Sequence, residues 1–268
     1  MRPDGRPALA LMLLLASAAS ASETGAGLYL WELGEQPLAG AALDDSPVLV
    51  ELGVMDPAAA ADRFSRYATS AVDSVSEDSI TLLVGPSEVV RGEPTADDLE
   101  ASFVIDFDEP AVASLVAANP AADGTTEDLR QLVFAHIDDK TYARGYDIAS
   151  RVADTGSGDC TEHAVLLAAV ARANGVPARV VFGVLLAAAD DAVRAYGHAW
   201  TEVHEDGRWR VLDATLPATA DTEVWTRHVP IMPLENEGPG FRMNLMELVK
   251  VWPNAVRVSR PEAAVPME

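Results

Sequence analysis

The chain has 268 residues, a hydrophobic fraction of 49% and a formal charge of −23. The apolar share is ample for a packed core, in one large domain or two small ones. So large an acidic excess repels nucleic acid and anionic lipid, which leaves solvation or cationic substrates as its use.

The chain begins like an exported protein. Arg2 and Arg6 give a positive start, and the apolar run at 8–16 is too short to span a bilayer. Ala19-Ser20-Ala21 offers small residues for cleavage. A signal peptide over 1–21 is therefore expected, with a periplasmic or secreted product and no stable membrane insertion after cleavage. Residues 22–108 read as a smaller β-rich region. Runs of β-formers at 28–33, 48–54, 80–84 and 101–107 predict strands, and 58–71 predicts a short amphipathic helix.

A core over 109–216 follows. Helices are predicted over 110–119 and 126–137, the second opened by Thr125-Thr126-Glu127-Asp128. His136 lies on the helical stripe with Leu129, Leu132 and Val133, so packing explains it. Residues 140–157 predict a loop or broken helix. Asp159 then caps a helix to about residue 173, stopped by Gly175 and Pro177. A buried strand is predicted over 178–186, and two more strands around Asp206-Gly207, a strong hairpin signal. The remainder, 217–268, reads as an extension packing on the core, with a short helix near 243–249 and a strand at 255–259.

Cys160 is the chain's single cysteine. It cannot form an internal disulfide, and an exported free thiol is open to oxidation, so a nucleophile is the plainest reason to keep it. The predicted helix puts it in a first turn, where free N–H groups favour a thiolate and can stabilise an oxyanion. Asp159 and Glu162 oppose that effect, so a cationic partner is needed. The hairpin nominates one. With a two-residue turn, Glu205 lies opposite Arg208, His198 opposite Thr215 and Trp200 opposite Asp213. His198 and Asp213 then share a face as diagonal neighbours, within reach of each other. That is the base-plus-orienter half of a triad, completed if the Cys160 helix packs across this face.

Other candidates carry less. His163 with Cys160 makes Cys-x-x-His, but no second cysteine or ligand pair completes a metal site. His204 sits near the turn, in a solvated position. His228 lies in the tail with no identifiable partner. Tyr142 and Tyr146 are candidate second oxyanion donors or packing residues, and Trp200 either shields the site or fills the hairpin core.

The run GDCTEHAVLLAAVARANGVPARVVFG, then GHAWTEV and GRWRVLDAT, resembles the bacterial transglutaminase-like superfamily over residues 125–216. The resemblance implies an α+β, papain-like core: a nucleophile helix packed on an antiparallel sheet bearing His and Asp. Cys160 would be the nucleophile, His198 the base and Asp213 the orienter. It implies a peptide or protein substrate, a thioacyl intermediate resolved by water or an amine, and neither cofactor nor metal. Thr155-Gly156-Ser157 stands where relatives often carry a basic residue. The alternative is a binding or structural module that kept the fold without catalysis.

Overall fold

Antiparallel strands and short helices make up the computed structural model, which describes residues 29–31, 47–85, 92–119, 125–140, 147–189, 192–216, 227–234 and 252–260. The leading elements are β1 (Tyr29–Trp31), β2 (Val48–Gly53), α1 (Pro57–Phe64), β3 (Ser70–Val75) and β4 (Ser79–Val84). Four helices follow: α2 (Pro110–Ala118), α3 (Thr126–His136), α4 (Ala149–Thr155) and α5 (Cys160–Ala173). The remaining strands are β5 (Ala178–Ala189), β6 (Ala192–Glu205), β7 (Arg208–Leu212), β8 (His228–Pro233) and β9 (Ala255–Ser259). The fold class is α+β, as expected.

Local chemistry explains several boundaries. Thr125 accepts from the Asp128 N–H, and Asp128 accepts from the Thr125 N–H at 2.7 Å, a capping box that starts α3. Asp56 accepts from the Ala59 N–H at 3.0 Å and Pro57 fills the first position of α1. In β2 and β4, alternate residues Val50, Leu52, Ile80 and Leu82 are fully buried. Each such side chain contributes roughly 2 kcal/mol of burial energy.

Two sheets result. In one, β6 pairs β5, β5 pairs β8, and both β1 and β7 lie along the outer edge of β6. In the other, the order is β3-β4-β2-β9. The hairpin register is the expected one: Glu205 pairs Arg208 and Thr201 pairs Leu212. Asp206 and Gly207 both have positive φ, 53° and 76°, as a type I′ turn requires.

One face of the β5–β6 ribbon serves two cores. Near the turn into β7, Val180, Ala199 and Val203 pack with Leu129, Val133, Leu166 and Leu167 from the helices. Toward the far end, Val184, Leu186, Val193 and Ala195 pack with Val50, Leu52, Leu82 and Val84. The leading strands thus bury their apolar face against the ribbon. The tail supplies strands to both sheets: β8 beside β5, and β9 beside β2.

The structure corrects two local expectations. Residues 101–107 form bends and turns instead of a strand; Ser102 accepts from the Ile105 N–H and donates its own N–H to the Ile105 carbonyl. The helix expected over 58–71 stops at Phe64, and Ser70 opens β3. The leader, Tyr142, Tyr146 and the helix expected near 243–249 lie outside the described residues. Among the described residues, no helix is long and apolar enough to cross a membrane.

Candidate active site

The first turn of α5 is fixed by reciprocal bonds. Asp159 accepts from the Thr161 N–H, and Glu162 accepts from the Asp159 N–H, both at 2.9 Å. Gly158 is required beside them: a Cβ there would lie 2.2 Å from the Glu162 Cβ. This geometry sets Cys160, half-buried, at the first helical position.

The body of α5 docks through Thr201, whose hydroxyl donates to the Ala164 carbonyl at 2.9 Å. Ala199 and Val203, on the same face of β6, join its core. His198, Trp200 and Glu202 alternate to the other face. The expected docking across the His198 face is therefore replaced: Trp200, fully buried there with Tyr67, Val181 and Val211, occupies that side. β7 pairs β6 only from Thr201 onward, and β1 pairs it at Tyr196 and Ala195. His198 lies in the interval between them, and Cys160 acts electrostatically on its ring there.

Asp213, fully buried, follows the end of β7. Its Oδ2 accepts from His198 Nε2 at 2.7 Å and from His228 Nε2 at 3.0 Å. Its Oδ1 accepts from the Thr215 N–H at 2.9 Å and from the Thr215 hydroxyl. Arg130 of α3, buried and paired with Glu127, donates to the Asp213 and Leu216 carbonyls and holds the turn. Of the expected trio, His198 and Asp213 are joined directly, and Cys160 opens the helix that packs on their sheet.

His228 is the residue that sequence reasoning passed over. It is fully buried, its ring centroid 5.6 Å from that of His198 and 4.8 Å from that of Trp200. It arrives on β8. That strand approaches closely because Gly183 has no side chain; a Cβ would meet the Val229 carbonyl at 2.2 Å and the Trp200 ring at 2.5 Å. A signal for its role existed only in three dimensions.

Electrostatics follow from these bonds. Burial alone would lower the His198 pKa, but the Asp213 charge and hydrogen bond, with help from Cys160, raise it to about 10. Burial would raise Asp213, yet the His198 charge and the two imidazole bonds hold it well below the usual carboxylate range. Burial, with the Asp159 side chain adding to it, pushes Glu162 up to about 7. His163 is lowered by burial, and its Nδ1 donates to the Asp159 carbonyl at 2.6 Å, so it packs along the helix. His204 packs edge-on against Trp209 instead of standing in solvent. His136 bonds the Ala153 carbonyl, as a packing role predicts.

His198, Asp213 and His228 also carry metal-ligand atoms, all within 4.8 Å of one another. Hydrogen bonds account for that closeness.

Residues 114–214 match the family model of the transglutaminase-like superfamily. Over this segment the chain is similar to the transglutaminase-like superfamily. The match opens inside α2 and ends one residue past Asp213, so it contains Cys160, His198 and Asp213 and excludes His228. No curated protein matches the chain by sequence. Solved structures that resemble it include a "Putative Cysteine Protease" from Cytophaga hutchinsonii, at 13% identity and a TM-score of 0.44, covering 70% of this chain and 76% of that one. Another is the periplasmic domain of TgpA from Pseudomonas aeruginosa bound to ethylmercury, at 17% identity and a TM-score of 0.42, covering 78% and 96%.

Proposed function

We propose that this protein is an exported thiol enzyme that transfers acyl groups from peptide or protein amides through a Cys160–His198–Asp213 triad, favouring hydrolysis over amine cross-linking. The observation that carries the reading is the 2.7 Å bond from His198 Nε2 to Asp213, on a sheet against which α5 packs with Cys160 at its first position. A His198 raised to about 10 is cationic at neutral pH. It therefore acts first as counter-ion to a Cys160 thiolate and as acid to the leaving group.

The thiolate attacks the amide carbonyl and forms a C–S bond. The Cys160 N–H, in the first turn of α5, donates to the oxyanion. The C–N bond breaks as His198 gives its proton to the departing nitrogen, leaving a thioacyl enzyme and a neutral imidazole. That imidazole takes a proton from water, whose oxygen attacks the thioester and releases the acid. The thiolate and imidazolium return. Cross-linking would need an amine in place of that water at a site that excludes water. The half-exposed Cys160 favours water. Export rests on the charged start and short apolar run of the leader, and cell fractionation with N-terminal sequencing tests it.

The main test incubates the protein, beside Cys160→Ala, with a glutamine-containing protein and a labelled primary amine. Ammonia release or cleavage that depends on Cys160 and exceeds amine incorporation is expected. Incorporation in excess overturns the hydrolytic preference. Neither product, from a folded protein, favours a non-catalytic module.

A further inference from the structure

We propose that His228 is a positioning residue of this site: from β8 it donates to the same Asp213 oxygen that binds His198, shares the carboxylate between two rings, and limits its hold on the His198 proton. The inference rests on the acyl-transfer reading and names a fourth member of its machinery. The geometry is specific. Thr215 already pins Oδ1 through its N–H and its hydroxyl, so the carboxylate's orientation does not need His228. What His228 adds is a second donor on Oδ2, at 3.0 Å beside the 2.7 Å bond from His198. Two donors on one oxygen divide its charge. A carboxylate relieved of one donor attracts the other ring's proton more strongly.

The position is built for this. Gly183 clears the space through which β8 approaches β5, and the Trp200 ring packs edge-on against His228. The groups facing the pair come from every neighbouring element. Cys160 and His163 act from α5, Arg130 bonds the Asp213 carbonyl from α3, and His228 is the group that β8 brings. Of these, His228 alone bonds Oδ2 beside His198 among the described residues. A proton held too firmly on His198 is a proton given slowly to the leaving nitrogen. His228 therefore acts on the turnover step and not on substrate binding.

The experiment follows the His198 ring through a pH titration by histidine side-chain NMR in the wild type, His228→Leu and His228→Gln. Glutamine keeps an N–H at about the reach of the imidazole Nε2, whereas leucine keeps only bulk. His228→Leu is expected to raise the His198 proton affinity about tenfold, and His228→Gln to stay within about threefold of wild type. On a glutamine peptide, kcat should fall about tenfold in the leucine variant with KM within twofold, and glutamine should restore it. If His228→Leu does not fold, His228→Asn, polar but too short, replaces it. A His198 titration unchanged in the leucine or asparagine variant overturns the proposal, as does an equal shift in the glutamine variant. The titration reads the ring pair whether or not an acyl group is transferred. The expected shift without Cys160-dependent turnover in the wild type sinks only the acyl-transfer reading. Normal turnover without the shift sinks only this one.

Discussion

The Thr201 hydroxyl donates to the Ala164 carbonyl at 2.9 Å, and this bond ties β6 to α5 one turn beyond Cys160. Thr201 is three residues from His198 on the same strand. The bond therefore fixes the distance between the two halves of the site. Thr201→Val keeps the shape and removes the donor. It should cost about 1 kcal/mol of stability. Turnover should fall further than stability predicts, because the thiol and the imidazole lose a common anchor. Urea unfolding alongside steady-state rates checks this, and an unchanged rate would show that the core alone sets their spacing.

Asp213 and His198 give stability a pH signature. The folded Asp213 pKa lies below its ordinary 3.8, so its contribution is present above that value and is lost as pH falls through the folded pKa. The folded His198 pKa, about 10, lies above its ordinary 6.5, so its contribution is full below 6.5 and is lost as pH rises through about 10. Both are complete between pH 3.8 and 6.5. The stability advantage of wild type over Asp213→Asn should be largest there and shrink toward pH 10. Denaturant unfolding across pH measures it. A constant advantage would mean that the pair is not charged as described.

Glu162 works in the opposite sense to Asp213. Its folded pKa is raised to about 7 from 4.5, so the favourable contribution is present below 4.5 and is lost as pH rises through 7. Glutamine mimics the protonated side chain and keeps an oxygen for the Asp159 N–H. Glu162→Gln should therefore match wild type in acid and exceed it in stability above pH 7. Thermal unfolding at pH 4 and pH 8 distinguishes this from a variant that is weaker throughout.

Gly158→Ala should damage the site from outside it. The new methyl meets the Glu162 side chain, which caps α5. A cost of roughly 1–3 kcal/mol is expected from overpacking and backbone strain. Cys160 should move with the disturbed turn, so its alkylation by iodoacetamide should slow. Alkylation at the wild-type rate in a destabilised variant would show that the clash is relieved away from the thiol.

Much of the core was legible in the sequence because its determinants are local. Asp159 and Glu162 lie close to Cys160 and specify its helix start. Asp206-Gly207 specifies a two-residue turn and with it the register from Glu205–Arg208 to Thr201–Leu212, but Asp213 lies one residue past the paired strand, so its bond to His198 is a tertiary result. Residues 101–107 misled for the converse reason. Their β-forming composition expresses burial of Val104 and Ile105, which a turn achieves as well as a strand.

Tertiary structure decided the rest. Strand alternation puts His198 and Thr201 on opposite faces, yet it does not say which face α5 takes; the bulk of Trp200 and the bond from Thr201 to Ala164 settle that. The gap between β1 and β7, in which His198 lies, depends on two strands with no local link to each other. β9 reaches β2 across two hundred residues of chain, a pairing no local pattern encodes. His228 is the sharpest case. Its neighbours in sequence give it no role, because its partner Asp213 and the clearance at Gly183 reach it only after β8 adds to β5. Short-range hydrogen bonds and strand periodicity are written residue by residue. The choice among faces and edges is made by burial, which only the folded chain can sum.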